Sequence, residues 1–211
     1  MERSIPNYKN KLKLNYFYYK TVIVIYTNNM ETDRSFLKFQ EFTDRELLER
    51  CVKDVTDNVD INPPLRRMFG KDCFMRRGVG FFSDESIGYY YSGQLSASRP
   101  MTSSLLTLLA LVNSIFGTEY NGILVNKYFS GKDYISAHSD DEENLDDSGV
   151  VAISWGEKRK FRIRKKGEKG YQDFPMASGS MLQMGGDFQK EFTHEIPPET
   201  KIDGVRISFT F

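Results

Sequence analysis

The strongest constraint on the fold is a series of short β-type segments in the second half of the chain. Apolar and β-branched residues recur there in five segments separated by Gly, Asp, Asn or Pro, and these segments are residues 122–128, 150–155, 160–164, 180–184 and 204–211. Such spacing is typical of short strands in one sheet system. Because helical patterns precede them, we expect an α+β or mainly β domain, either a helix-supported barrel or a jelly roll.

Two helices are predicted ahead of these strands. Thr43 and Glu46 form a capping box, and apolar residues then recur at helical spacing over residues 47–55. A second, more apolar helix is predicted between Pro100 and Gly117, since proline favours a helix start and glycine a helix end. Its many apolar positions predict burial against a sheet.

Length and composition limit which partners, cellular environment and domain organisation the protein can have. The chain has 211 residues with 29 basic and 29 acidic side chains, so no global positive charge indicates a nucleic-acid partner. Cys51 and Cys73 are too few for a disulfide framework, which predicts reduced cysteines and an intracellular protein. The apolar run 21–26 is far below the roughly 18 residues that a membrane span needs. We expect a monomer with an N-terminal extension, residues 1–33, and one domain, residues 34–211.

Both histidines of the chain stand in positions that suit a metal. In an extended segment His138 and Asp140 project to the same side and can bind one ion. With His194, the only other histidine, they make the two-histidine, one-carboxylate set of non-haem Fe(II) oxygenases. The alternative is a solvated loop, because six acidic residues lie within 138–147.

Strand alternation adds polar residues to a predicted pocket. In the last segment Arg206 and Ser208 share one face, where a guanidinium and a hydroxyl could bind a carboxylate. In the segment 122–128, Asn126 and Tyr128 likewise share a face and could supply an amide and a phenol. The alternatives are a surface arginine on an edge strand and ordinary polar strand residues.

Residues 125–142 carry a motif in which Asn-x-Tyr, a glycine and His-x-Asp-x-Glu follow one another. Further matches follow in order, and they are residues 151–156, 178–182, Thr-His194-Glu-Ile-Pro and Arg206-Ile-Ser208-Phe-Thr-Phe. Together with the aromatic segment 89–93, these motifs resemble the AlkB family of Fe(II)- and 2-oxoglutarate-dependent nucleic-acid demethylases over roughly residues 65 to 211.

The resemblance implies a double-stranded β-helix, or jelly roll, with flanking helices. It implies Fe(II) bound by His138, Asp140 and His194. It also implies 2-oxoglutarate as co-substrate, with its distal carboxylate on Arg206 and Ser208 and with further polar contacts from Asn126 and Tyr128. The implied reaction removes an N-methyl group from DNA or RNA as formaldehyde while 2-oxoglutarate becomes succinate.

A nucleic-acid substrate requires a base pocket and contacts to phosphates. A methylated base must enter the pocket unstacked, and the candidates for lining that pocket are Phe81, Phe82, Tyr89 and Tyr91. The segment 156–170 is rich in basic residues that could follow phosphates, and its candidates are Arg159, Lys160, Arg162, Lys165 and Lys166. The alternatives are core aromatics of a hairpin and a solvated charged hairpin; Arg66, Arg67, Arg76 and Arg77 could extend the basic patch.

One departure from the family pattern concerns a second arginine. It usually follows the first by six residues, which would place it one position beyond Phe211. We expect this second arginine in a stretch of chain that follows Phe211. Otherwise the protein binds its co-substrate without a second arginine at that position. Two other function classes stay open, an oxygenase acting on a protein or small molecule and a binding module without turnover.

Overall fold

A computed structural model describes residues 26–27, 32–57, 61–68, 71–91, 94–141 and 148–211 of the chain. The helices in these residues are α1 (Arg45–Asp57), α2 (Ser103–Phe116) and α3 (Phe188–Glu191). The strands in these residues are, in chain order, β1 (Tyr26–Thr27), β2 (Ser35–Glu41), β3 (Leu65–Met68), β4 (Lys71–Phe74), β5 (Gly78–Phe82), β6 (Gly88–Tyr91), β7 (Gln94–Arg99), β8 (Ile123–Tyr128), β9 (Ile135–His138), β10 (Val150–Gly156), β11 (Arg159–Lys165), β12 (Gln172–Met176), β13 (Ser180–Gly186), β14 (Phe192–Ile196) and β15 (Arg206–Thr210).

Two sheets carry the site. The large sheet has the order β1-β2-β13-β10-β15-β8-β5-β7-β6, and the small sheet has the order β12-β11-β14-β9. Neighbouring strands are antiparallel except β5 and β7, which are parallel. Strands β3 and β4 form a separate hairpin. The two sheets face each other, so side chains on their inner faces form a core and, at one end, a cavity.

The core between the sheets follows from period-two alternation. In β11, Phe161 and Ile163 are buried against the large sheet, whereas Lys160, directly before Phe161, is exposed. From the large sheet, Leu182 and Met184 of β13 meet them. Each fully buried side chain of this size stabilises the fold by roughly 1.5–3 kcal/mol relative to exposure.

The two long helices cover the opposite face of the large sheet. Helix α1 contributes Leu48 and Val55, and helix α2 contributes Leu105 and Leu108, to a second core with inward residues of β8, β10 and β15. This arrangement is the predicted jelly roll with flanking helices. No helix in the described residues is both long and apolar enough to cross a membrane.

The helix ends agree closely with the sequence patterns. The Thr102 hydroxyl accepts a hydrogen bond from Leu105 N, and Gly117 ends α2 with φ of 67°, a conformation that glycine adopts without steric cost. Helix α1 begins slightly later than the predicted capping box, because the Asp44 carboxylate accepts the hydrogen bond of Leu47 N at 2.9 Å.

From β8 onward, three strands were not predicted, namely β9, β12 and β14. Each is only four or five residues long and contains Ser, His, Glu, Gln, Asp or Pro, so local patterns there were weak. Strand β1 falls in the stretch predicted as an N-terminal extension and pairs with β2 at the sheet edge. The rest of that stretch up to residue 25 lies outside the described residues.

Candidate active site

One open cavity of about 930 Å³ lies between the inner faces of the two sheets. The large sheet contributes residues from β8 and β15, and the small sheet contributes residues from β9, β11 and β14. Residues 73–77, which lead from β4 into β5, form part of its wall. The cavity therefore collects side chains that are up to 137 positions apart in sequence, from Cys73 to Thr210.

The predicted metal triad converges in this cavity. Strands β9 and β14 are neighbours, and His138 and His194 stand directly opposite each other in the ladder. The Asp140 carboxylate lies between the imidazoles, with Oδ1 3.6 Å from His138 Nε2 and Oδ2 3.4 Å from His194 Nε2. One ligand atom from each residue lies within 4.8 Å of the other two, which suits a single ion.

Neighbouring groups fix the ligands in place. His138 Nδ1 lies 2.9 Å from the carbonyl oxygen of Ser136, so its proton is held there and Nε2 keeps a free lone pair. The Ser139 hydroxyl donates to the Phe192 carbonyl oxygen at 2.8 Å and joins the end of β9 to β14. The Asp140 backbone N–H donates to Gln189 Oε1 at 3.0 Å. The first contact holds Ser139 against the small sheet, and the second holds Asp140 against α3.

The protonation states also favour metal binding. Burial, together with the neighbouring His194, lowers the pKa of His138 to about 4, so its imidazole is neutral near pH 7. Burial opposes ionisation of Asp140, but the adjacent His194 and His138 outweigh it and lower the pKa of Asp140 below its usual value. Neutral imidazoles and an ionised carboxylate are the forms that bind a metal.

A buried guanidinium lies on the opposite wall. Arg206 is 2% exposed, and its Nη2 donates to the Ser154 hydroxyl at 2.8 Å. Its Nε and Nη1 have no hydrogen-bond partner among the described residues. Burial lowers its pKa, and the Tyr128 ring lies 5.1 Å from it. A charge with two unpaired donors in a cavity indicates a site for an anion.

Strand register brings the other predicted polar residues to the same wall. Arg206 pairs with Tyr128 across β15 and β8, and Ser208 pairs with Asn126. All four line the cavity, whereas Ile207 between them belongs to the helix-side core. The face that the sequence alternation predicted is therefore the face that meets the cavity.

The sequence model of the 2OG-Fe(II) oxygenase superfamily matches residues 36–211, which is most of the chain. The chain belongs to the 2OG-Fe(II) oxygenase superfamily. The fold and the grouping of His138, Asp140 and His194 are those that membership requires.

Curated relatives support the resemblance to AlkB proteins. DNA oxidative demethylase ALKBH2 of Homo sapiens is 29% identical over 154 residues, covering 69% of this chain and 59% of the relative. Alpha-ketoglutarate-dependent dioxygenase alkB homolog 3 of Rattus norvegicus is 33% identical over 134 residues, covering 58% of this chain and 45% of the relative. The chain thus spans about half the length of the curated relatives it matches.

Solved structures share the fold. The structure of OsALKBH1 aligns with a TM-score of 0.53 at 14% identity, covering 86% of this chain and 98% of that one. A prolyl-4-hydroxylase from Pseudomonas putida aligns with a TM-score of 0.50 at 16% identity, covering 84% and 91%. These likenesses confirm the double-stranded β-helix that the resemblance implied.

Membership in the 2OG-Fe(II) oxygenase superfamily implies Fe(II) and 2-oxoglutarate, and the residues present fit both. His138, Asp140 and His194 would hold the metal, since two imidazoles and one carboxylate leave coordination positions open. Arg206 offers two buried donors to a carboxylate of the co-substrate. Phe161 stacks on the His194 ring at 5.2 Å between centroids and shields that side of the triad from water.

Two candidate base-contacting residues lie elsewhere in the fold. Phe82 is fully buried in the helix-side core, because it alternates with Phe81 and faces away from the cavity. Phe81 is 7% exposed and packs against Tyr89 at 5.6 Å between ring centroids. Of the four aromatic candidates, Tyr89 lines the cavity directly, and the side chain of Tyr91 lies outside the described residues.

The predicted phosphate contact of Arg159 is wrong. Arg159 is 1% exposed and lies on the inward face of β11 together with Phe161. Its guanidinium is used internally, since it donates to the carbonyl oxygens of Ser130, Asp133 and Pro197 and to the Glu199 carboxylate. Sequence reasoning missed this role because Arg159 lies within a run of basic residues, although strand alternation places it on the inward face of β11.

The other basic candidates lie on the outer surface. Arg162 is engaged with Asp173 through two hydrogen bonds of 2.6 and 2.9 Å, so its charge is largely neutralised. Lys160 and Lys165 are exposed. Lys166 donates to the Gln189 carbonyl oxygen at 2.8 Å and lies 4.0 Å from Asp141, which lines the cavity. Lys166 therefore stands at the rim.

Sequence reasoning missed several cavity residues. Arg77 had been grouped with a surface patch, yet it is 6% exposed and donates through Nε to Asn126 Oδ1 at 2.7 Å. Phe74 and Tyr134 also line the cavity. The pairing of β5 with β8, which places Val79 opposite Asn126, brings Arg77 to the site, and no local pattern predicts that pairing.

Proposed function

We propose that this chain removes N-linked methyl groups from the bases of DNA or RNA by oxidative demethylation. The observation that carries the proposal is the meeting of the metal triad and the unpaired Arg206 guanidinium in one cavity. Relatives named DNA oxidative demethylases give the direction of the chemistry. The balanced reaction consumes the methylated base, 2-oxoglutarate and dioxygen and yields the unmodified base, formaldehyde, succinate and carbon dioxide.

Each part of the site has a role in this reaction. Fe(II) and 2-oxoglutarate, when bound, supply the oxidising power by coupling dioxygen reduction to decarboxylation. Arg206 and Ser208 hold the distal carboxylate and so set the direction in which the keto group points. Asn126 and Tyr128 complete the polar wall. Phe161 excludes water beside His194, which limits oxidation of the protein itself.

The substrate base enters from the open side of the cavity. Tyr89 lines this side and offers an aromatic ring for a base that has left its stack. Lys166 at the rim, with Lys160 and Lys165 on the adjoining surface, provides positive charge for phosphates. Phe81 packs against the Tyr89 ring and supports it in this position.

The remaining organisation is proposed on the same basis. Residues 1–33 form an N-terminal extension and residues 34–211 the oxygenase domain. The protein acts as an intracellular monomer that contacts nucleic acid. Reduced Cys51, buried in α1, and Cys73 are consistent with that environment.

The direct test is mass spectrometry of a short oligonucleotide containing 1-methyladenine or 3-methylcytosine. With Fe(II) and 2-oxoglutarate, we expect loss of one methylene of mass per lesion, together with equimolar succinate and formaldehyde. Asp140→Ala should abolish all three products. Arg164→Met, a change on the outer face of the small sheet, is the matched control and should leave metal-dependent succinate formation intact.

Two outcomes would reject the proposal. Succinate formation with an unchanged oligonucleotide, under conditions in which a peptide or small molecule is hydroxylated, would indicate an oxygenase of another substrate class. Full biological activity of His138→Ala would indicate a binding module without turnover.

A further inference from the structure

Arg77 is a second buried arginine of the cavity. It precedes β5, whose first residue Gly78 pairs with Lys127 of β8, and its side chain turns to the inner face of the large sheet. Its side chain is almost completely buried, which is costly for a charge that lacks an ionic partner. In the parts of the chain that the structure describes, no carboxylate lies within salt-bridge distance of Arg77.

Among the residues that the structure describes, Arg77 makes one side-chain hydrogen bond, and this bond fixes its orientation. Nε donates to Asn126 Oδ1 at 2.7 Å, and Asn126 is itself buried. Because Nε is used in this way, the two Nη groups are left for the cavity. The hydrogen bond at Nε thus fixes one edge of the guanidinium. The other edge, with the two Nη groups, faces a ligand bound beside the triad.

The location of Arg77 relative to the triad differs from that of Arg206. Arg206 contacts Ser154 and Tyr128. Arg77, in contrast, follows Arg76, whose carbonyl oxygen accepts a hydrogen bond from the Tyr134 N–H at 3.2 Å directly before β9, the strand that ends at His138. Arg77 lines the cavity together with His138 and Asp140. One cavity therefore offers two guanidiniums, one toward the metal ligands and one toward Tyr128.

The co-substrate 2-oxoglutarate has two carboxylates, one for each of these two guanidiniums. A 2-oxo acid chelates a metal through its keto oxygen and the adjacent carboxylate, so that carboxylate must lie beside the triad. We propose that Arg77 is a co-substrate anchor whose Nη groups donate to the carboxylate next to the keto group, while Arg206 binds the distal one. This inference rests on the proposed use of 2-oxoglutarate and adds the residue that orients its reactive end.

The test measures binding of two probes to Mn(II)-loaded protein by calorimetry, without nucleic acid. The probes are 2-oxoglutarate and 2-oxopentanoate, which has a methyl group in place of the distal carboxylate. Arg77→Met should weaken both probes by a similar factor of about tenfold or more, since both keep the keto-acid end. Arg206→Met should weaken 2-oxoglutarate and remove its advantage over 2-oxopentanoate.

Several results would overturn the inference. These are unchanged affinity for both probes in Arg77→Met, weakening of 2-oxoglutarate alone, or a loss of Mn(II) affinity that accounts for the weaker binding. If Arg77→Met does not fold, Arg77→Lys replaces it. Lysine keeps the charge, but its single nitrogen cannot give a carboxylate the two parallel hydrogen bonds of a guanidinium, so this variant should bind both probes several-fold more weakly. Equal binding to wild type would again reject the role.

The design separates this inference from the proposed function. If wild-type protein fails to bind 2-oxoglutarate, the proposed function fails. If wild-type protein binds it and the Arg77 variants bind equally well, only the role of Arg77 is lost.

Discussion

Replacing Arg206 by methionine should stabilise the ligand-free protein and, at the same time, reduce the stabilisation that 2-oxoglutarate provides. The arginine is 2% exposed and leaves two donors, Nε and Nη1, without partners among the described residues. Each buried unsatisfied donor costs about 1–3 kcal/mol. Methionine has a similar length and packs on Tyr128 without a charge, but it removes the hydrogen bond to Ser154, which is worth about 1 kcal/mol.

The balance favours the variant in the absence of ligand. Two relieved donors against one lost hydrogen bond give a net gain of about 1–5 kcal/mol in the free energy of unfolding. For a domain of this size, that gain raises Tm by about 2–20 °C. Wild-type protein should in turn gain about 2.7 kcal/mol when 2-oxoglutarate is present at a hundred times its Kd. The variant should gain almost nothing.

The assay is thermal unfolding of metal-loaded protein, with Mn(II) in place of Fe(II), in the presence and absence of 2-oxoglutarate. Arg164→Met is the matched control, since it makes the same chemical change on the outer face of β11 and should leave the ligand-induced shift intact. The reasoning is refuted if Arg206→Met keeps the wild-type shift, or if its ligand-free form unfolds several degrees below wild type.

Further predictions concern the metal triad, the buried Arg159 and the close contact between Gly131 and the backbone at Glu199. His194→Ala should lower Mn(II) affinity at least tenfold with little loss of fold, measured by calorimetry and circular dichroism; unchanged affinity would exclude it as a ligand. Arg159→Met should lower the free energy of unfolding by about 3–5 kcal/mol because it removes the ionic partner of Glu199 and the donors to buried carbonyl groups. Lys160→Met, at an exposed position, should change the free energy of unfolding by no more than about 0.5 kcal/mol. Equal losses for Arg159→Met and Lys160→Met in urea titration would contradict the internal role of Arg159. Gly131→Ala should destabilise by about 2 kcal/mol or more, since its methyl would overlap the Glu199 carbonyl oxygen; a wild-type urea midpoint would disprove that contact.

Local patterns predicted most of what a single segment can specify. The helices over residues 45–57 and 103–116 followed from capping residues and helical spacing. The cavity-facing side of β15 followed from alternation, since Arg206 and Ser208 had to lie opposite Ile207. Strand β14 was missed because it is only five residues long and its central inward position is a histidine. The predicted role of Phe82 failed because alternation gives two faces without saying which one meets the cavity.

What the sequence determined by itself is the set of chemical groups and their order on each strand. Two histidines, one nearby aspartate and one arginine in a terminal strand limit the chemistry whatever the fold. Only the tertiary structure decided which groups meet. The pairing of β9 with β14 sets His138 opposite His194, and the pairing of β5 with β8 brings Arg77 to Asn126. The physical reason is that these pairings depend on burial of whole sheet faces, a free energy summed over many distant residues.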